Sequence, residues 1–259
     1  MGDVFPVERG SAPLPRTAAP VRPAQRFWQK YFAFYDTLNA SIPYQRMLER
    51  AVELLGVRKG EHVLDAGTGT GNVAVLLAAN GARVTGIDFC EAGLDACRAK
   101  VPSADFRFGD LTQPLEFGTA TFDKVVCCCV LHLLPREGQQ HAAREFFRVL
   151  KPGGRAVMTV FATGFRPLTV YAETIREQRR ATNLLTAIWF TMKYSINTAR
   201  ILYYVSRIKK TEKSGAYNFF DEEELRSVFA AAGFEIERIE RVFAGQCLNL
   251  VGRKPGNAA

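Results

Sequence analysis

The chain has 259 residues, 47% hydrophobic and 23% charged, which is apolar mass enough for one large domain, or one domain plus a lobe, and excludes a disordered class. No apolar run approaches the roughly 18–20 residues needed to span a bilayer, and residues 1–25 have no apolar signal core, so a cytoplasmic protein is expected. The net charge of +8 is uneven: residues 165–213 carry ten Lys or Arg against three acids, residues 1–30 five against two, and the remainder is slightly acidic.

Residues 1–25 hold five of the twelve prolines and read as a disordered tail. "RFWQKYFAFYDTL" (26–38) reads as an aromatic-rich helix ended by Pro43, and "YQRMLERAVELLGV" (44–57) as an amphipathic one; together they form an N-terminal pair over 26–60. An alternation follows. Strands are expected at 62–67, 83–89, 104–110, from 122, and at 155–161. Helices are expected at 72–80, 91–100 and 138–150. Strands separated by helices imply right-handed crossovers and a parallel sheet covered on both faces, here a core over 61–162. The end differs: "FDEEELRSVFAAAG" (220–233) is a helix with Asp221 as N-cap, and 234–243 and 246–254 form an edge hairpin. That makes an α/β fold of seven mostly parallel strands with a C-terminal antiparallel hairpin over 219–259.

Six cysteines, three of them consecutive in the apolar run 127–129, suit neither a disulfide framework nor zinc-ligand spacing; they read as reduced, small buried hydrophobes, and no metal site is expected.

The stretch "HVLDAGTGTGN" (62–72) is a strand running into a turn with Gly67, Gly69 and Gly71, where bare backbone can approach a ligand. Asn72 stands where the dinucleotide fingerprint requires its third glycine, and Asp65 puts a carboxylate where a diphosphate would be repelled and a cation welcomed. A nicotinamide-dependent oxidoreductase is therefore disfavoured.

Five ordered stretches, "VLDAGTGTG" (63–71), "VTGIDF" (84–89), "FRFGDL" (106–111), "FDKVVCCCVLHLL" (122–134) and "RVLKPGGRAVM" (148–158), resemble class I S-adenosylmethionine-dependent methyltransferases, across about residues 25–165 and the terminal hairpin. The resemblance implies a Rossmann-like fold and S-adenosylmethionine as cofactor, leaving as S-adenosylhomocysteine. It places Gly67, Thr68, Gly69 and Gly71 against the methionyl part and adenosine, and Asp65 near the ammonium. Asp88 falls on the ribose hydroxyls, Phe89 on the adenine face, Asp110 on the adenine amino group with Leu111 beside it, and Cys127 on the methionyl carbons. Asp88 and Asp110 could instead cap the segments that follow, and Phe89 could be core packing. The triple cysteine departs from the small polar residues commoner there.

Such a cofactor carries an activated methyl group, so the protein mainly supplies position and desolvation; an alcohol acceptor would additionally need a base. The candidates are His132, more often structural at that place in the family, and Tyr35, with Tyr31, on the N-terminal helix. His62 reads as structural and His141 as a surface residue.

The acceptor half is the insert 163–218. Its stretch 184–210 has apolar residues at 185, 188, 189, 192, 196, 199 and 203, a helical stripe, and basic ones at 193, 200, 207, 209 and 210. A helical, basic, aromatic-rich cap suits a small hydrophobic or anionic acceptor (a lipid head group, a quinone-type ring, an aromatic metabolite) or docking at an anionic membrane; a cap packed on its own domain with a solvated basic face is the preferred reading. The alternatives are an RNA methyltransferase, against which no RNA-binding module or base-modifying motif is visible, and a non-catalytic scaffold with a methyltransferase fold.

Overall fold

The computed structural model describes residues 23–182, 189, 193, 196–207 and 218–256. The expected tail lies outside these residues up to position 22, and its last three residues are corrected: they open the first helix, α1 (Pro23–Tyr35), with proline in the opening turn where its missing N–H costs nothing. A short 3-10 turn leads to α2 (Ile42–Leu55), so Pro43 starts the second helix rather than merely ending the first. Gly56, at φ 63°, closes α2 in a left-handed conformation.

β1 (His62–Ala66), α3 (Asn72–Ala79), β2 (Arg83–Asp88), α4 (Glu91–Lys100), β3 (Asp105–Phe108), β4 (Phe122–Cys128), α5 (Arg136–Val149) and β5 (Leu150–Phe161) follow. After β5 come α6 (Pro167–Ala181), which the sequence reading did not single out, helical residues 196–207 (α7), then α8 (Glu222–Ala231), β6 (Glu235–Val242) and β7 (Cys247–Arg253). Asp221 caps α8 as expected: its carboxylate accepts from Glu224 N at 2.8 Å while Glu224 accepts from Asp221 N at 3.3 Å, satisfying two donors of the helix start.

The seven strands lie in the order β3-β2-β1-β4-β5-β7-β6, and only β7 runs against its neighbours. The hairpin enters with β7 against β5, which leaves β6 at the edge. β5 begins earlier than expected because Leu150 pairs with Phe122 across a register shift that absorbs the Pro-Gly-Gly stretch. One apolar layer packs α5 and α8, through Phe146, Leu225 and Phe229, on one face; a second packs α2, α3 and α4, through Leu55, Leu77 and Leu94, on the other. The chain runs outward in both directions from β1 and β4, so the carboxyl ends of those two strands border a crevice at the switch point. Over that crevice a third layer joins Trp28 and Tyr31 of α1 to Phe165, Phe219 and Ile201 and Val205 of α7.

The apolar stripe marked in the sequence is not what packs the cap against its domain. Trp189, Ile196, Ala199 and Tyr203, the members of the apolar stripe whose side chains are described, are exposed, and α7 turns Ile201, Leu202 and Val205 inward instead. Among the described residues, no helix is long and apolar enough to cross a membrane.

Candidate functional site

The first glycine turn is held by backbone geometry that no other residue adopts cheaply. Gly67 and Gly69 have φ of 78° and 57°. A Cβ on Gly67 would lie 2.5 Å from a methyl of Val130, and one on Gly69 would meet only the edge of the Phe32 ring at 3.8 Å. Gly71, φ 83°, is the N-cap of α3 and packs on Cys97, away from the cavity wall.

This turn floors a cavity of about 330 Å³ that also gathers Asp65, Thr68, Asp88, Phe89, Asp110, Leu111, Cys128, Cys129 and His132. Asp65 is buried and accepts from Thr68 Oγ1 at 2.7 Å. Asp88, at the end of β2, accepts from the backbone N–H of Gly69 at 3.0 Å and of Cys90 at 2.9 Å, tying the glycine turn to the start of α4. Burial pushes the Asp65 carboxyl up to about 7 and that of Asp88 to about 6, against the hydrogen bonds that lower both. No ion pair among the described residues includes either one. Two buried carboxylates without a cation fit a ligand that brings positive charge and hydroxyls. Asp110 is half-buried and spends one oxygen on its own turn, accepting from Thr112 N at 2.9 Å and Thr112 Oγ1 at 2.7 Å. Asp88 and Asp110 thus cap local structure and face the cavity at once.

Cys127 is a correction. Side chains alternate across β4, so Cys127 follows Val125 into the layer under α5 and is fully buried there. Cys128 and Cys129 reach the cavity instead, Cys129 with φ 59° just past the strand end.

His132 is buried and stacks on Phe161 with centroids 4.3 Å apart, its Nδ1 accepting from Phe161 N at 3.4 Å. Burial lowers its pKa to about 3, so at neutral pH it is an uncharged imidazole of low basicity. His141, expected at the surface, is half-buried, and His62 bonds Thr85 Oγ1 at 2.9 Å as part of the sheet.

A second cavity, about 130 Å³, opens beside the first under α6 and α7. Among the described residues its wall carries no charged side chain; Met47, Phe165, Val170, Ile201 and Phe243 are typical of it. Tyr31, Tyr35, Tyr44, Cys129, Phe161 and Val205 line both cavities and so mark where they meet. There Asn72 Nδ2 donates to the Tyr44 hydroxyl at 3.4 Å, and Tyr44 donates to Tyr35 at 3.2 Å, which leaves the Tyr35 proton available to a third partner. Burial raises all three phenols well above their ordinary value. The sequence reading missed Tyr44, Cys129 and Phe161: they come from α2, the turn after β4 and the end of β5, and no spacing links them.

The methyltransferase-domain family matches residues 63–154. Over 158 residues the chain is 33% identical to a 27-O-demethylrifamycin SV methyltransferase of Amycolatopsis mediterranei, covering 57% of this chain and 57% of that protein. Over 114 residues it is 40% identical to a demethylmenaquinone methyltransferase of Clavibacter sepedonicus, covering 42% of this chain and 44% of that protein. The chain therefore spans about half the length of these relatives. The crystal structure of a magnesium protoporphyrin IX methyltransferase from Synechocystis, solved with S-adenosylhomocysteine bound, superposes with a TM-score of 0.59 at 19% identity, over 90% of this chain and 95% of that one.

Proposed function

We propose that this chain, a member of the class I S-adenosylmethionine-dependent methyltransferases through its domain at residues 63–154, moves a methyl group to a small, uncharged, hydrophobic acceptor held in the apolar cavity under α6 and α7. The observation that carries the reading is the pair of joined cavities, one with two buried carboxylates and the other with no charge among its described residues. An in-line displacement needs donor and acceptor to meet at one point, and the shared wall at Tyr35, Cys129 and Phe161 is such a point.

S-adenosylmethionine, when bound, supplies a sulfonium-activated methyl group. In this reading Asp65 takes up the ammonium end, Asp88 the ribose hydroxyls, and Asp110 with Leu111 the adenine edge. Phe89 covers the ring, and Gly67, Thr68 and Gly69 let the ligand lie on backbone. α1 closes over it with Trp28 and Phe32 and keeps water out. Tyr35 donates a hydrogen bond at the junction, held in that sense by Tyr44.

Apart from the carboxylates given to the cofactor, the described walls of the two cavities offer no side chain suited to take a proton from the acceptor at neutral pH, because His132 is too weak a base and the phenols stay protonated. The acceptor must therefore arrive as a good nucleophile: a phenol or enol acidic enough to ionise beforehand, an electron-rich ring carbon, or a neutral amine. An uncharged cavity also favours a quinone-type or other aromatic ring over a phosphate-bearing lipid head group, which would bury an unpaired anion. The relative named for a menaquinone precursor supports a quinone-type acceptor, and both named relatives support a small-molecule one.

The test is calorimetry with S-adenosylmethionine and S-adenosylhomocysteine, followed by transfer of labelled methyl to a panel of hydroquinols, phenols, aliphatic alcohols and phospholipids. Micromolar binding of both nucleosides and labelling of the hydroquinols or phenols is expected. Binding without labelling of any aromatic acceptor, or labelling of alcohols alone, would overturn the acceptor reading; no binding would overturn the whole.

A further inference from the structure

The two faces of α7 do different work. Inward, Ile201, Leu202 and Val205 line the apolar cavity. Outward, Ile196, Arg200, Tyr203 and Arg207 follow one another at helical spacing, and Lys193 and Trp189 continue the same row backward. The three apolar members are 58% (Trp189), 68% (Ile196) and 56% (Tyr203) exposed, where a folded domain would ordinarily bury them. Lys193 Nζ stands 4.5 Å over the Trp189 ring. The sequence from 178 to 211 contains seven basic residues and no acid.

We propose that this outward face of α7 is a docking surface for an anionic lipid bilayer, lying in the headgroup plane, so that a hydrophobic acceptor dissolved in the membrane reaches the cavity behind the same helix. This rests on the reading of that cavity as the acceptor site. Four considerations argue for lipid over the other occupants. Large apolar and cationic side chains alternate along a single helix face, the composition of an interfacial helix that sinks its apolar groups among the headgroups while its cations meet lipid phosphates. Complementarity of charge excludes a cationic or acid-poor partner. A nucleic acid would use the cations but would gain nothing from an exposed isoleucine. The bilayer is also where an uncharged, water-insoluble acceptor is found.

The experiment is flotation of the full chain with vesicles of phosphatidylcholine alone and of phosphatidylcholine with about 30% phosphatidylglycerol, at low salt and again in about 0.5 M salt, where screening is strong. The anionic vesicles are expected to carry the protein, and salt to release most of it. Each basic residue neutralised should weaken partitioning about fivefold, so Lys193→Gln, Arg200→Gln and Arg207→Gln together should weaken it on the order of a hundredfold. Trp189→Ser, Ile196→Ser and Tyr203→Ser together should abolish flotation at any salt. Affinity for S-adenosylhomocysteine, measured on each variant, should stay within twofold of the parent, which excludes loss of fold. Absence of flotation by the parent, or equal flotation by the serine variant, would overturn docking. So would a parent dimer, seen by light scattering, that the serine variant splits while neither floats. Flotation with no nucleoside binding would leave docking standing and remove the methyltransferase reading.

Discussion

Asp88→Asn separates a ligand-binding carboxylate from a loop cap. Both oxygens of Asp88 are engaged by backbone: one accepts from Gly69 N at 3.0 Å, the other from Cys90 N at 2.9 Å. An amide can keep only one of these bonds and turns its own NH₂ against the other donor, whichever way it is placed. On folding alone the two consequences oppose each other. The carboxyl is held at about 6 instead of 3.8, so keeping it ionised at neutral pH costs on the order of 3 kcal/mol, by about 1.4 kcal/mol per unit. The amide removes that cost, which is already net of the backbone bonds to the ionised form, but leaves one backbone N–H facing its NH₂ without an acceptor, a penalty of about 1–3 kcal/mol. Thermal stability should therefore change by only a few degrees. Ribose binding has no such offset. Two hydroxyls that lose a charged acceptor should lose about 3 kcal/mol together, roughly a hundredfold in Kd. Calorimetry with S-adenosylhomocysteine, paired with thermal unfolding, reads both quantities. A Kd within threefold of the parent would refute the reasoning and leave Asp88 as a cap for α4.

Binding should also depend on pH with a definite sign. Asp65 and Asp88 are raised in the folded chain, so it is the protonated forms that folding favours, and the stability they contribute declines as pH rises from about 4 to about 7. A cationic ligand needs the ionised forms, so affinity should rise from pH 5.5 to about 7.5 and then level off, with proton release visible as heat that varies with the buffer; a flat profile would contradict it. Gly67→Ala should destabilise by about 2–3 kcal/mol, from left-handed strain of about 1–2 kcal/mol and displacement of the Val130 methyl 2.5 Å away. Gly153→Ala, with φ 76° and nothing within 4 Å, should cost the strain alone, and equal losses in thermal unfolding would show that the Val130 contact counts for nothing. Tyr35→Phe keeps the ring and removes the donor, so kcat should fall about tenfold with cofactor Kd unchanged; a loss confined to Kd would move Tyr35 from the acceptor side to the cofactor side.

Much of the fold was legible because strands and helices write different periods into the chain. The runs at 62–66, 83–88 and 122–128 are rich in apolar residues and too short for helices, and each is a strand. The carboxylates were legible for a related reason: an acid closing a buried run, as at Asp65 and Asp88, is costly unless it serves a ligand or a turn. What stayed hidden depended on a residue's face or on groups distant in sequence. A shift of one position decides which side of β4 a thiol faces, and the apolar run "VVCCC" gives no alternation from which to read it, so the sequence points to Cys127 where Cys128 and Cys129 line the cavity. Tyr44, Phe161 and Cys129 converge only because α2, β5 and the turn after β4 do. α7 is the sharpest case. A row of apolar residues every three or four positions establishes that a helix has an apolar face, but periodicity does not say what covers it. Here 196 and 203 point outward, while the inward face is built from 201, 202 and 205, a second apolar row on the same helix. A helix apolar on one side and alternately apolar and basic on the other needs two different environments, and among the described residues the domain covers only the first side.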